Sequence, residues 1–145
     1  MTKADLLALA LDDFLAVSSE VEAAAVVSAD GLPMASALPP HVEEDRLAAM
    51  SAALLTLGER AASELGKGAL AQVFIEGPKG HVILMAAGPD SVLVSVTAHG
   101  AKVGLVLFEM RRIAERVAAV MTAPVGESVD AHVPAEPPTP VGSWQ

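Results

Sequence analysis

One central segment most constrains what this chain can fold into, because more of its circumference is apolar than a single domain core needs. The segment covers residues 42–65 and follows a Pro-Pro pair. Its first turn is acidic, which suits the positive end of a helix dipole. On a helical wheel, at about 100° per residue, the apolar residues form two stripes that lie roughly 100° or more apart. Together the stripes cover about 200° of the circumference, which is wider than the apolar stripe of an ordinary surface helix. The segment is therefore predicted to be a helix with two buried faces.

The two stripes are expected to make different contacts. The larger side chains should pack on the domain core: Leu47, Met50, Leu54, Leu57, Ala61 and Leu65. The other stripe is mostly alanine, which lets two helix backbones approach closely, and it should meet a second copy of the chain: Ala48, Ala52, Leu55 and Ala62. The alternative is that these alanines are present only as good helix formers. Leu55, an apolar side chain centred in the second stripe, favours the dimer.

Two further helices and five strands are predicted around this segment. The helices cover residues 3–18 and 103–120, and the strands cover residues 21–28, 32–38, 70–76, 81–87 and 91–97. Asp30-Gly31 between the first two strands is a strong hairpin signal, because glycine accepts the positive φ of a tight turn. Pro33 then requires an edge position or a bulge in the returning strand.

The last three strands differ in how they should be covered. Residues 81–87 are apolar on both faces after the first position, so helices are expected on both sides of that strand. Residues 70–76 carry Gln72 and Glu76 on one side and Val73 and Ile75 on the other, as an outer strand does. An exposed strand edge must be protected or paired, and pairing with a symmetry mate would serve.

Composition excludes several classes of partner. The 145 residues are 52% hydrophobic and 3% aromatic, and 18 acidic side chains against 9 basic ones give a formal net charge of −9. This charge argues against nucleic acid and against an anionic membrane surface, both of which need compensating cations. Cysteine is absent, which removes disulfides and thiolate chemistry. Neither a signal peptide nor a membrane span is recognisable, so the chain is expected to be cytoplasmic.

No recognised catalytic motif is present. The phosphate-binding loop, the dinucleotide fingerprint and the Gly-x-Ser-x-Gly elbow are all missing. The histidines are far apart and lack ligand spacing: His41, His81, His99 and His132. Catalytic residues, cofactors and metals are therefore not predicted, and the chain is not expected to be an enzyme. The last helix carries Arg111, Arg112 and Arg116, which either receive an acidic partner or form a solvated helix face.

Composition changes near Met121 and divides the chain into a domain, residues 1–121, and a tail, residues 122–145. The tail holds five of the ten prolines, three carboxylates, no Lys or Arg, and the single tryptophan, Trp144. Because proline disfavours helix, an extended tail is expected. The alternation at residues 129–133 allows a short edge strand, and residues 134–140 suit either a polyproline II docking peptide or a plain tail that hugs the domain.

Three stretches, in this order and spacing, resemble the Roadblock/dynein light chain family. Residues 21–36 are an apolar strand that reaches Asp30-Gly31 and a short return, residues 47–55 begin an Ala-rich helix, and residues 103–112 begin the last helix. The resemblance covers about residues 3–121. It implies an α+β fold, a profilin-like or longin-like α/β/α sandwich around a five-stranded antiparallel sheet in the order helix–β–β–helix–β–β–β–helix.

The resemblance also implies a function. Members are not NTPases; they dimerise through the central helix and an edge strand, and they bind small Ras-like GTPases or serve as dynein light chains. This chain is similar to the bacterial branch that regulates a partner GTPase, which includes a gliding-motility regulator. We therefore expect a non-enzymatic homodimer that binds a small Ras-like GTPase and modulates its GTP-bound state or hydrolysis. The alternative is a passive assembly module of a signalling or motor complex; a small-ligand sensor is disfavoured by the lack of aromatics.

Two sets of residues are expected to make these contacts. The expected dimer interface consists of Ala48, Ser51, Ala52, Leu55, Glu59, Ala62, Ala71, Val73 and Ile75. The expected contact with the GTPase partner consists of exposed positions of the long helix: Thr56, Glu59, Arg60 and Ser63.

Overall fold

The computed structural model describes residues 1–123 and has the predicted order of elements. The three helices are α1 (Lys3–Val17), α2 (Glu44–Glu64) and α3 (Val103–Thr122). The five strands are β1 (Val21–Ser28), β2 (Pro33–Ala37), β3 (Gln72–Gly77), β4 (Gly80–Ala86) and β5 (Ser91–Ala98). The short edge strand and the docking peptide considered for the tail lie outside the described residues.

All five strands form one antiparallel sheet in the order β2-β1-β5-β4-β3. Helices α1 and α3 pack together on one face, and α2 crosses the other face in contact with every strand. The result is the predicted α+β sandwich of three layers. β2 and β3 are the two sheet edges, as Pro33 and the polar alternation of residues 70–76 predict.

Each face of the sheet has its own apolar core. Under α1 and α3 the core includes Phe14, Ile83 and Met110, all fully buried. Under α2 it includes Leu84 and Val94, also fully buried. Because Ile83 and Leu84 are neighbours in β4 and point to opposite faces, that strand is covered on both sides, as its apolar run predicts.

Local signals in the sequence account for the ends of several elements. Thr2 and Asp5 form a reciprocal capping box: the Asp5 amide donates to the Thr2 hydroxyl, and the Thr2 amide donates to the Asp5 carboxylate, both at 3.1 Å. Gly66 follows the C-cap of α2 with φ +71°, as expected of a helix C′ residue. Pro33 begins β2 at the edge of the sheet, beside a shift in the β1–β2 register.

Candidate interaction surface

The two apolar stripes of α2 lie the other way round from the prediction: the alanine stripe faces the chain's own core, and most of the larger side chains face outward. Ala48 is fully buried, and Ser51, Ala52 and Leu55 are 2–8% exposed, all against the chain's own sheet and first hairpin. Side chains buried in this way leave almost no surface for a second subunit. The prediction that these four residues contact a second subunit is therefore corrected: they are residues of α2 that lie in the core of the chain's own domain.

The reason is how closely α2 approaches the rest of the domain. Gly31 in the β1–β2 turn lies so near the helix that a Cβ built on it would be 3.5 Å from the Ala49 Cα. A Cβ on Gly58 would be 3.0 Å from a methyl group of Leu70 and 3.1 Å from one of Val73. The tight contact at Gly58 favours small side chains there, and the inner face of α2 is mostly alanine, serine and glycine, with Leu55 as the large side chain buried among them.

The outward stripe of α2 is the main exposed apolar surface on this side of the sheet. Its exposed large side chains are Met50 (51%), Leu54 (39%), Leu57 (61%) and Leu65 (73%). Ala61 is exposed beside them, and Leu47 is partly buried at its margin. At about 100° per residue the five exposed positions fall within an arc of roughly 80°. We call Met50, Leu54, Leu57, Ala61 and Leu65 the α2 stripe.

Edge strand β3 adds apolar surface on the same face of the sheet. Ile75, Val82 and Val96 are direct cross-strand partners on β3, β4 and β5, so their side chains form one row. Val82 and Val73 pack against the core under α2, which places this row on the α2 face. Ile75 at the free edge is 39% exposed. The row lines an open groove of about 460 Å³ next to the β3–β4 turn.

The other expected interface residues are distributed around this surface. Glu59 and Ala71 are exposed, and Ala62 and Val73 are partly buried. Together with Ile75, these positions remain a prediction for the dimer contact.

The four expected partner-binding positions share one flank of α2. Thr56, Glu59, Arg60 and Ser63 are all exposed and lie within an arc of roughly 100°, on the side of the helix away from Leu54 and Leu65. Thr56 lines a groove with Asp30 and Gly31 of the first hairpin. Arg60 pairs with Glu64 at 3.5 Å, and both side chains are about 70% exposed. We call Thr56, Glu59, Arg60 and Ser63 the polar flank.

Sequence reasoning missed the outward position of Met50, Leu54, Leu57 and Leu65, although a signal was available. Glycine in a helix interior costs about 1 kcal/mol relative to alanine, so a mid-helix glycine often marks a close contact. Gly58 and Ser51 lie on the alanine side of α2, and they identify it as the inner face.

The described histidines do not converge on a reactive arrangement. His41 and His99 are exposed, and His81 is partly buried. The His81 ring lies 5.0 Å from the Phe74 ring, its Nδ1 is 3.2 Å from the Thr97 hydroxyl, and its Nε2 is 3.7 Å from the Glu76 carboxylate. His132 lies outside the described residues. Within residues 1–123, His, Asp and Glu side chains form no cluster of three that could hold a metal ion.

The α2 stripe, the row beside it and the polar flank form a contact surface. None of the helices in residues 1–123 is long and apolar enough to cross a membrane. Three layers around this five-stranded antiparallel sheet define an α+β protein with the profilin-like sandwich architecture. Within that class the chain belongs to the Roadblock/LC7 domain family, whose model matches residues 7–97. The resemblance recognised in the sequence is thereby confirmed.

Similar proteins agree with this assignment. An uncharacterized protein of Methanocaldococcus jannaschii is 37% identical over 100 residues, which are 69% of this chain and 87% of the relative. A Roadblock/LC7 domain from Streptomyces avermitilis is 33% identical with a TM-score of 0.60, covering 76% of this chain and 96% of that one.

The gliding protein MglB of Thermus thermophilus shares the fold. It superposes with a TM-score of 0.75 at 20% identity, covering 83% of this chain and 91% of MglB. Another MglB structure has a tetrameric arrangement.

Proposed function

We propose that this chain is a non-enzymatic homodimer that binds a small Ras-like GTPase as a regulator or scaffold in the cytoplasm. Membership of the Roadblock/LC7 family supports a general regulatory or scaffolding role. The observation that carries the proposal is the exposed α2 stripe beside the free edge of β3.

The size of the α2 stripe supports a second copy as its occupant. Burying one Leu or Met side chain fully is worth roughly 1.5–3 kcal/mol. The exposed parts of Met50, Leu54, Leu57 and Leu65 together equal just over two such side chains. A two-fold contact uses the same patch twice, so covering it gives roughly 7–13 kcal/mol per dimer. That is comparable with the estimated cost of association, roughly 4–15 kcal/mol, so the stripe needs further contacts beside it.

The edge of β3 can supply those contacts. Within residues 1–123 the outer N–H and C=O groups of β3 face no other strand, and β3 contains no proline. The opposite edge, β2, is shorter, begins with Pro33 and is packed against α1, which makes it a poor partner. Antiparallel pairing of two β3 strands about a two-fold axis keeps both α2 helices on the same side of the joined sheet. One arrangement would therefore bury the stripe and pair the edge.

Such a dimer leaves Thr56, Arg60 and Ser63 of the polar flank free for the GTPase, whereas Glu59 is also predicted for the dimer contact. Thr56, Glu59, Arg60 and Ser63 point away from the side of α2 that carries Leu54 and Leu65. A rigid surface can hold the switch segments of a GTPase in one of their existing states without donating a catalytic side chain. This mechanism requires no reactive group from this chain.

The experiment is to measure binding to, and GTP hydrolysis by, the small Ras-like GTPases of the same organism. A change in hydrolysis or nucleotide release on adding the dimer supports regulation, whereas binding at an unchanged rate supports the passive scaffold. Arg60→Glu on the polar flank should weaken binding. Lys102→Glu, which makes the same charge change at the exposed N-cap of α3 in the opposite layer, should not. Equal effects of the two variants, or no binding at all, would contradict the proposal.

A further inference from the structure

The two helices on the face opposite α2 cover only four of the five strands. Helix α1 lies over β1 and β2, and α3 lies over β4 and β5. The axes of packed helices are roughly 8–10 Å apart and neighbouring strands are about 4.8 Å apart, so one helix covers about two strands. Within residues 1–123, edge strand β3 is therefore left without a helix packed over this face.

A groove lies between α3 and the uncovered face of β3. Phe74 is the direct cross-strand partner of Ile83, which lies in the core under α1 and α3, so the Phe74 ring is on this face. The ring is 42% exposed. Beside it is an open groove of about 300 Å³, whose lining includes Gln72, Met85, Arg111, Ala114 and Ala118. We call this groove, together with Phe74, the α3–β3 groove.

The wall that α3 contributes is the side of the helix turned away from α1. On the α1 side, Arg116 pairs with Asp13 at 2.7 Å. Arg111 is roughly 140° around the helix from Arg116 and lines the groove. Phe108, about one turn before Arg111, is 51% exposed, and the Arg112 guanidinium carbon lies 6.0 Å from the centre of its ring. The outer rim of this wall therefore carries an aromatic ring and two cations.

These two cations are available to a partner. In the part of the chain that the structure describes, Arg111 and Arg112 make no ion pair. The carboxylates nearby are Glu115, which lines the groove, and Glu76 on β3, which is 3.7 Å from the Nε2 of His81. The α3 wall thus has a positive charge in a chain whose formal net charge is −9. An acidic occupant is attracted to this wall and repelled by the chain as a whole.

We infer that the α3–β3 groove docks an amphipathic α-helix of a partner protein, with its apolar stripe over Phe74 and Met85 and acidic side chains beside Arg111 and Arg112. Such a helix continues the layer of α1 and α3 over the fifth strand. The interior of a helix satisfies its own backbone hydrogen bonds, so it needs only apolar and charged contacts from the groove. Those are the contacts that the groove offers.

The width of the site in an assembly rests on the proposed function. If two β3 strands pair about a two-fold axis, the two grooves adjoin on the side of the joined sheet opposite α2. The uncovered floor is then two strands, or about 10 Å, wide, which is close to the diameter of one helix. One docked helix per two chains is therefore expected. Its contact is separate from both the α2 stripe and the polar flank.

Two synthetic peptides test the inference on the isotope-labelled full-length chain. Both are helical, about 18 residues or five turns long, with a stripe of leucines flanked by glutamates in one and by lysines in the other. The glutamate peptide should shift the amide NMR signals of residues 72–76 and 107–118 and leave those of residues 46–60 unchanged. Its dissociation constant should be lower than that of the lysine peptide by roughly tenfold or more.

This preference is opposite to the one that the overall charge predicts, because a chain of net charge −9 attracts the lysine peptide without a specific site. Tighter binding of the lysine peptide would overturn the inference. Shifts concentrated on α2 would do so as well, and so would shifts confined to β3, which indicate an added strand. Absence of binding by both peptides would also overturn it.

Substitutions at exposed positions assign the two halves of the contact. Arg111→Glu should remove the preference for the glutamate peptide, whereas Arg46→Glu, an equal charge change at an exposed position of α2, should preserve it. Phe74→Ala should weaken binding of both peptides. Leu9→Ala on α1, where the side chain is 39% exposed, should not. Circular dichroism checks that each variant is folded, and equal effects within either pair would contradict the docking.

The stoichiometry separates this inference from the proposed function. Saturation at one peptide per two chains supports a floor shared by two β3 strands. Saturation at one peptide per chain, with the same shifted residues, supports docking in the groove and contradicts the pairing of β3 with its copy. None of these measurements uses a GTPase, so the groove and the GTPase contact can fail independently.

Discussion

Replacing Leu57 with glutamate should separate the proposed dimer into subunits while each subunit stays folded. Leu57 lies in the middle of the α2 stripe and is 61% exposed, so the isolated domain depends little on its packing. Glutamate is a good helix former, so α2 itself should persist. The variant therefore acts mainly on the contact between copies.

The expected magnitude follows from the surface that Leu57 would lose to water. If full burial of a Leu side chain is worth roughly 1.5–3 kcal/mol, covering the 61% that is exposed is worth roughly 0.9–1.8 kcal/mol. A two-fold interface contains the residue twice, so the loss is about 2–4 kcal/mol per dimer. At about 1.4 kcal/mol per tenfold, the dissociation constant should rise roughly 30- to 700-fold, and the cost of desolvating two carboxylates adds to this.

Sedimentation velocity over a concentration series measures this constant, and circular dichroism checks that each variant is folded. Leu32→Glu is the matched control: Leu32 is 63% exposed but lies in the β1–β2 turn, outside the α2 stripe. Its dissociation constant should stay close to that of the unmodified chain. A monomeric unmodified chain, or equal shifts in the two variants, would refute the assignment of the stripe to a dimer contact.

Two further predictions concern the stability of the domain. Gly80 has φ +147°, and a Cβ there would lie 2.0 Å from the Thr97 carbonyl oxygen. Gly80→Ala should therefore lower the free energy of unfolding by at least about 1–3 kcal/mol in urea titrations. Gly104→Ala in α3, where a Cβ meets nothing within 4 Å, should leave it unchanged or raise it by up to about 1 kcal/mol. Hydrogen bonding by the Thr2 amide, and then by the Thr2 side chain, lowers the pKa of Asp5, so this contribution to stability is present above the ordinary carboxyl pKa and is lost as pH falls through the lowered one. Thr2→Pro, which removes both the amide donor and the hydroxyl, should return the Asp5 pKa toward its ordinary value in a carboxyl NMR titration, whereas Thr2→Ala, which keeps the amide, should move it less. An unchanged pKa in Thr2→Pro would contradict this origin.

Turn and edge features could be predicted from the sequence because they are encoded by neighbouring residues. Asp30-Gly31 predicts the first turn, Pro33 predicts the edge position of β2, and the Thr2–Asp5 spacing predicts the start of α1. Each is a local backbone or hydrogen-bonding requirement that does not depend on distant contacts. The predicted start of β3 was less accurate, because the apolar sequence pattern begins before the strand pairing does. The strand begins at Gln72, two residues after the start of the apolar run.

Contacts between distant segments could not be predicted in this way. The Arg116–Asp13 ion pair joins α3 to α1 across 103 positions, and no local pattern links these two residues. Likewise, the contact between the tilted rings of His81 and Phe74 depends on the register between β3 and β4.

The sequence by itself determined the order of the elements, the edges of the sheet and the presence of two apolar faces on α2. Only the tertiary structure decided which face is inside. Hydrophobic periodicity reports that a stripe is apolar, but it does not report how closely the helix approaches the sheet. Because α2 packs closely on the sheet and the first hairpin, the small side chains of Ala48 and Ser51 lie on its buried face. Leu57 and Leu65 lie on its exposed face.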